Sequence, residues 1–257
     1  MNRINRLFAD KGSKRILSIY YTAGYPTLES TVDIAETLEN AGVDFLEIGF
    51  PYSDPVADGP VIQHSSEAAL RNGMSLGVLF EQLKDLRRQV NIPVLLMGYV
   101  NPVLQYGVEN FCKSCKAVGV DGVIVPDLPM YEYEERYRNV FEENGLSNIF
   151  LVTPQTSEER IRKIDDLSTG FVYLLSSSAT TGKNLSVSEN TEAYFSRIRA
   201  MQLKNPVVIG FGISDHHAFT RATDHADGAI VGSAFVNLLG ETDYSSKIPQ
   251  FIRQLKG

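Results

Sequence analysis

The apolar residues of this chain fall into two kinds of segment, and the two kinds alternate eight times. Short runs rich in β-branched and aromatic residues are Ile16–Thr22, Asp44–Phe50, Pro93–Tyr99, Asp121–Pro126, Asn148–Thr153, Gly170–Ser176, Pro206–Phe211 and Gly228–Val231. Their near-continuous hydrophobicity is that of parallel strands buried on both faces. Amphipathic stretches lie between them, near Leu28–Ala41, Gly73–Val90, Val108–Val118, Tyr131–Asn144, Ser157–Leu167, Glu189–Met201, Asp215–Thr223 and Tyr244–Leu255. Eight strand–helix units in succession meet the requirement of a closed barrel, and 257 residues is the length such a barrel needs. The predicted fold class is α/β, a (β/α)8 TIM barrel forming one domain over residues 1–257. Two additions are expected. Ile4, Leu7 and Phe8, at i, i+3 and i+4, mark an extra N-terminal helix. Ala234 to Leu239, ended by Gly240, reads as a short helix after strand eight.

Turn chemistry agrees with the count. Ala41-Gly-Val-Asp44 and Val118-Gly-Val-Asp121 each end a helix on glycine and begin a strand. Cys112 and Cys115 form a C-x-x-C pair, but Val108, Phe111, Cys112, Cys115 and Val118 make one helical stripe. Both thiols therefore read as small core residues inside a helix, whereas a redox pair sits where a helix begins.

Composition narrows the function classes. The net charge of −7 disfavours nucleic acid and anionic membranes as partners, since both need clustered Lys and Arg. No apolar run approaches a membrane span, and the polar start, Met1 to Gly12, is no secretion signal. A cytoplasmic protein is expected.

In a barrel the functional loops follow the carboxyl ends of the strands. Two such stretches are long, Pro51–His64 after strand two and the small, polar Ser176–Asn190 after strand six. The second is either a lid or tolerated surface. Within Asp44–Phe50, Leu46 and Ile48 suit the helix layer, so Phe45, Glu47 and Gly49 face the interior. A carboxylate there is costly unless paired, hydrated or neutral, and the inward positions supply no Lys or Arg to make a buried salt bridge. Glu47 is thus a candidate catalytic residue. Asp54 and Asp58 follow in a loop fixed by prolines and a glycine, Pro51-Tyr-Ser-Asp-Pro-Val-Ala-Asp-Gly-Pro60. Either could be a turn residue, but a loop so constrained suits accurate placement of a side chain. Ile209-Gly-Phe-Gly-Ile213 and Val231-Gly-Ser-Ala234 follow strands seven and eight. There, glycine N–H groups, the hydroxyl of Ser233 and the start of a short helix suit phosphate binding. His64, His216, His217 and His225 lack metal-ligand spacing, so no metal is expected. No nucleotide-binding glycine motif and no G-x-S-x-G elbow occurs.

One long motif goes further. Leu46-Glu-Ile-Gly-Phe-Pro-Tyr-Ser-Asp-Pro-Val-Ala-Asp-Gly-Pro-Val-Ile-Gln63 resembles the signature of the tryptophan synthase alpha chain family. Leu96-Met-Gly-Tyr-Val-Asn-Pro102, Gly119-Val-Asp-Gly-Val-Ile-Val-Pro-Asp-Leu-Pro129, Gly210-Phe-Gly-Ile-Ser214 and Gly232-Ser233 support it, in order along the chain. The resemblance implies a lyase of tryptophan biosynthesis that splits indole-3-glycerol phosphate into indole and glyceraldehyde 3-phosphate. It implies catalytic roles for Glu47, Asp58 and Tyr173, the last inward-facing by alternation. It also implies Tyr99 and Phe211 near the substrate, Thr181 and Gly182 in a mobile loop, and Gly212, Gly232 and Ser233 on the phosphate. Ser176-Ser-Ser-Ala-Thr-Thr-Gly182 departs from the family's more usual Gly-Val before Thr-Gly. The family needs no cofactor in this chain. Its partner is a beta chain carrying pyridoxal phosphate, in an α2β2 complex that consumes the indole. Other phosphate-binding barrels, such as sugar-phosphate isomerases, share the glycine loops but not the Glu47–Asp58 motif. A catalytically idle regulatory subunit would have no need of both carboxylates.

Overall fold

The computed structural model describes residues 2–175, 189–210 and 212–257. Parallel strands stand in a ring: Ile16–Thr22, Phe45–Gly49, Val94–Met97, Gly122–Ile124, a fifth in two pieces (Ser147–Ile149 and Leu151–Val152), then Val172–Leu175, Val207–Gly210 and Gly228–Val231. Pairing follows chain order, and the first strand also pairs with the eighth, Ile16 against Gly228. Ser147–Ile149 pairs with the fourth strand and Leu151–Val152 with the sixth. Phe150 between them completes the circle, its carbonyl accepting from the Tyr173 N–H at 3.0 Å. The predicted eight-stranded barrel is therefore present, with its fifth strand interrupted at one residue whose ring packs into the helix layer 5.3 Å from Tyr133.

Alternation along each strand divides the apolar side chains between two cores. The larger lies between sheet and helices and includes Leu46, Ile48, Leu96, Val123, Val172 and Ile209. The smaller fills the barrel and includes Ile16, Phe45, Leu95, Ile124, Phe171 and Tyr173. The N-terminal helix Arg3–Asp10 closes the lower end of the inner core with Ile4 and Phe8. The Phe8 ring lies 6.3 Å from Phe45 and 5.9 Å from Phe171. Full burial of side chains of this size stabilises by about 1.5–3 kcal/mol each. Polar ties fix the plug. Asn2 caps the helix by accepting from the Asn5 N–H at 3.0 Å, and its Nδ2 donates to Ser147 Oγ at 2.7 Å.

The Gly-Val-Asp echo acquires a physical reason at this same end. Asp44 accepts from the Leu17 N–H at 2.9 Å, and Asp121 from the Val94 N–H at 3.0 Å. Asp227 does the same for Val207 at 2.8 Å. Each aspartate thus satisfies an N–H at the start of the neighbouring strand, the second residue in the case of Leu17 and the first for Val94 and Val207. Asp121, only 3% exposed, also holds Arg3 at 3.1 Å and Arg87 at 2.6 Å. Arg87 in turn donates to the carbonyls of Gly119, Val90 and Ile92.

The helices differ from expectation in three places. The stretch Gly73–Val90 is divided into Leu76–Gln82, a 3-10 turn at Leu83–Asp85 and Leu86–Gln89. Pro60–Arg71 is a helix where a loop was read as far as His64, and Val100–Tyr106 a helix where no element was read. Proline sits in the first turn of each, where its missing N–H is not needed. The first also buries Ser65 and Ser66 beside Ile62 and Ala69, so its inner face lacks a hydrophobic period. Cys112 and Cys115 are free and buried in Val108–Val118, as the stripe predicts. Among the described residues no helix is long and apolar enough to cross a membrane. The Ser176–Asn190 lid reading, with Thr181 and Gly182, and the assignment of Phe211 fall on or around positions outside the described residues.

Candidate active site

Glu47 stands inside the barrel, as the alternation of its strand requires, and none of its surface is exposed. Among the described residues neither carboxyl oxygen has a hydrogen-bond partner, and no Lys or Arg pairs with it. Removal from water penalises the charged form, so burial raises the Glu47 carboxyl from 4.5 to about 8. A protonated acid is therefore held ready at neutral pH.

Asp58 reaches the same mouth from the proline-bounded loop. The Asp58 N–H donates to the Pro55 carbonyl at 3.0 Å, and Gln63 Nε2 donates to the Asp58 carbonyl at 2.8 Å. Both contacts fold the loop back on the start of Pro60–Arg71, which turns the side chain towards the barrel. Tyr99 meets it there. Its hydroxyl accepts from the Ala57 N–H at 3.0 Å and donates to Asp58 Oδ2 at 3.1 Å. Burial raises the Asp58 carboxyl to about 6, while the Tyr99 bond pulls it down by favouring the ion. Two carboxyls in one mouth thus differ in state at pH 7, Glu47 neutral and Asp58 mostly ionised. Asp54 separates from them: it is exposed and accepts from Ser53 Oγ at 2.6 Å, as a turn residue does.

Tyr173 points inward from the sixth strand, 4% exposed. Its ring occupies the space a side chain would take at Gly210, where an added Cβ would come within 2.1 Å of the hydroxyl oxygen. Burial, and next the charge of Glu47, raise the phenol well above its usual range, so it remains a neutral donor. A small cavity of about 20 Å³ beside Asp58 is lined by Tyr20, Asp58, Ser66, Met97, Gly98 and Tyr99. Tyr20 was not among the expected site residues. Its signal was available, because the alternation of Ile16–Thr22 faces it inward, and in register it is opposite Glu47.

The glycine loops lie at the carboxyl ends of strands seven and eight. Gly212 has φ +75°, a conformation that favours glycine. Gly232 caps the helix Ser233–Leu239; the Phe235 N–H donates to the Gly232 carbonyl at 2.9 Å, while helix geometry gives the N–H groups of Ser233 and Ala234 no intrahelical acceptor. Among the described residues the nearest atoms to a Cβ at Gly232 belong to Tyr20, at 3.7 Å or more, which is ordinary contact distance. The structure thus brings Glu47, Asp58, Tyr99 and Tyr173 to one end of the barrel, with Gly212, Gly232 and Ser233 on that rim. Among the described residues no three His, Cys, Asp or Glu side chains are grouped to hold a metal ion.

Comparison with known proteins places these features. The profile of a family described as "Tryptophan synthase alpha chain" matches residues 8–255. A tryptophan synthase alpha chain of Christiangramia forsetii is 53% identical over 256 residues, covering 100% of this chain and 99% of the relative. One from Flavobacterium psychrophilum is 54% identical, covering 99% and 100%. Among solved structures, tryptophan synthase subunit alpha from Legionella pneumophila superposes with a TM-score of 0.90 at 32% identity, covering 100% of this chain and 97% of that one. A chain of a tryptophan synthase complex from Pyrococcus furiosus gives 0.85 at 35% identity, covering 93% and 97%.

Proposed function

This chain belongs to the tryptophan synthase alpha chain family, and from that premise we propose how its residues divide the work of the alpha subunit's reaction, the cleavage of indole-3-glycerol phosphate to indole and glyceraldehyde 3-phosphate. The observation that carries the assignment is the pair of carboxyls in different protonation states, Glu47 raised to about 8 and Asp58 to about 6. The bond between the indole ring and the glycerol chain breaks only after the ring carbon that bears the chain is protonated. Glu47, neutral and desolvated, donates that proton. Positive charge then develops at the ring nitrogen. Ionised Asp58, oriented by Tyr99, accepts the indole N–H and stabilises the charge. Glu47, now a carboxylate, takes the proton of the adjacent side-chain hydroxyl. The carbon–carbon bond electrons return to the ring, the hydroxyl carbon becomes the aldehyde, and the acid is regenerated. Tyr173 acts beside Glu47 as a neutral hydrogen-bond donor. Gly212, Gly232 and Ser233 hold the phosphate through backbone N–H groups and a hydroxyl. Thr181, Gly182 and Phe211 belong to the same reading by resemblance.

No metal or cofactor of the chain's own enters this scheme. The indole passes to a beta chain that carries pyridoxal phosphate, in an α2β2 complex in the cytoplasm. The face proposed for that partner is the barrel mouth around Pro51–Pro60, Asn101 and Pro102. Exposed apolar side chains that follow three successive strands favour it: Val56 in the loop after the second, Leu104 on the helix Val100–Tyr106 after the third and Tyr131 on the helix Met130–Glu132 after the fourth, at 81%, 48% and 58% exposure. The deciding experiment gives the purified chain indole-3-glycerol phosphate and follows indole release. Glu47→Gln keeps the shape and removes the proton, and a positioned acid is worth about 10²–10⁴-fold. A loss in that range with KM nearly kept is expected; near-normal turnover overturns the mechanism.

A further inference from the structure

Tyr20 joins the two halves of this site. It lies on the first strand, between the second, which bears Glu47, and the eighth, which ends at Gly232. Its Cβ and Cδ1 would each be 3.7 Å from a Cβ on Gly232. Its hydroxyl oxygen would be 2.2 Å from a Cβ on Gly49, so the ring is laid across that glycine, two residues beyond Glu47 and on the same inward face. The ring therefore runs from the phosphate rim to the acid strand, and it lines the cavity that Asp58 and Tyr99 enter.

The chemistry leaves a demand that this placement can meet. When Glu47 gives up its proton it becomes a carboxylate with two buried oxygens that have no hydrogen-bond partner among the described residues. An unpaired buried charge is far more costly than a paired one. Among the described residues, the titratable groups that feel the Glu47 charge are Tyr20 from the first strand and Tyr173 from the sixth. The third strand offers Leu95 opposite it. Neither group is a cation, so the donors the described residues offer are phenols. Tyr99 is committed to Asp58.

We propose that Tyr20 is a positioning residue of the cleavage step, its hydroxyl donating a hydrogen bond to the Glu47 carboxylate once the proton has passed to the substrate. Tyr20 keeps its own proton throughout, and the bond lapses when Glu47 is reprotonated by the substrate hydroxyl. Burial and the nearby carboxylates hold the phenol above its usual range, which keeps it a donor. This role rests on Glu47 being the acid.

Tyr20→Phe keeps the ring and removes only the donor. A hydrogen bond that lowers the Glu47 pKa by about one unit is a tenfold effect. The variant is expected to lose about tenfold in kcat with KM changed less than twofold. The alkaline fall in its pH–rate profile should move upward by about one pH unit, because the ionised acid has lost support. A change in packing alone would not move that limb. Wild-type turnover with an unmoved limb overturns the role of Tyr20. If Glu47→Gln is also near wild type, the assignment of the acid fails instead, so the two failures are distinguishable.

Discussion

Replacing Glu47 with glutamine should remove a stability penalty that grows as pH rises to neutrality, while costing most of the chemistry. Glu47 ionises at about 8 in the folded chain against an ordinary 4.5. Below the lower value both folded and unfolded states carry the proton, and the carboxyl costs nothing through titration. As pH rises past 4.5 the unfolded chain releases the proton and the folded chain keeps it, so stability falls. The fall ends near pH 8, where the folded state ionises too. At about 1.4 kcal/mol per pH unit of separation, the full penalty is on the order of 5 kcal/mol, and about 3 kcal/mol of it is present at pH 7. Glutamine does not titrate, so its buried amide adds a cost that is constant with pH. The variant's stability relative to the parent must therefore climb between pH 5 and pH 8, whatever its starting offset. Urea denaturation of both proteins at half-unit steps of pH measures this directly. In thermal melts, with roughly 2–4 °C per kcal/mol for a domain of this size, the relative melting temperature should rise by roughly 5–10 °C between pH 5 and pH 7. Parallel stability curves across that range would refute the buried, neutral acid.

The same two carboxyls set the pH dependence of kcat/KM in the free enzyme. The rate should rise as Asp58 ionises through about pH 6 and fall as Glu47 ionises through about pH 8; Asp58→Asn should remove the acid limb along with most of the rate. Gly232→Val should raise KM strongly while leaving the melting temperature nearly unchanged, since a Cβ there meets Tyr20 no closer than 3.7 Å; an unchanged KM would move the phosphate elsewhere. Asp121→Ala takes the carboxylate from part-buried Arg87 and from the Val94 N–H and should cost about 1–3 kcal/mol in urea without changing activity per folded molecule.

Much of this was legible in the sequence because barrel strands obey a period of two. Glu47 is conspicuous where every neighbour is apolar, and its position alone implies burial. Tyr20 obeys the same alternation but escaped, because an aromatic residue in a strand reads as core and only the fold shows Gly49 opening space for its hydroxyl. Asp54 and Asp58 could not be separated by spacing. Their difference comes from a tertiary bond, Tyr99 to Asp58, made across 41 residues. The helices Pro60–Arg71 and Val100–Tyr106 were hidden by prolines in their first turns and, in the first, by a buried face of small polar residues.

The plug at the foot of the barrel also sets an order in time. The helix Arg3–Asp10 is made before the residues that hold it, since Arg3 bonds a residue 118 positions later and Asn2 one 145 positions later. At synthesis rates of about 5–20 residues per second, those partners follow after roughly 6–30 s. Throughout that interval Ile4 and Phe8 have no barrel to enter, and the apolar side of the nascent helix stands open to any chaperone that binds short apolar segments. The plug is thus made well before the barrel it closes.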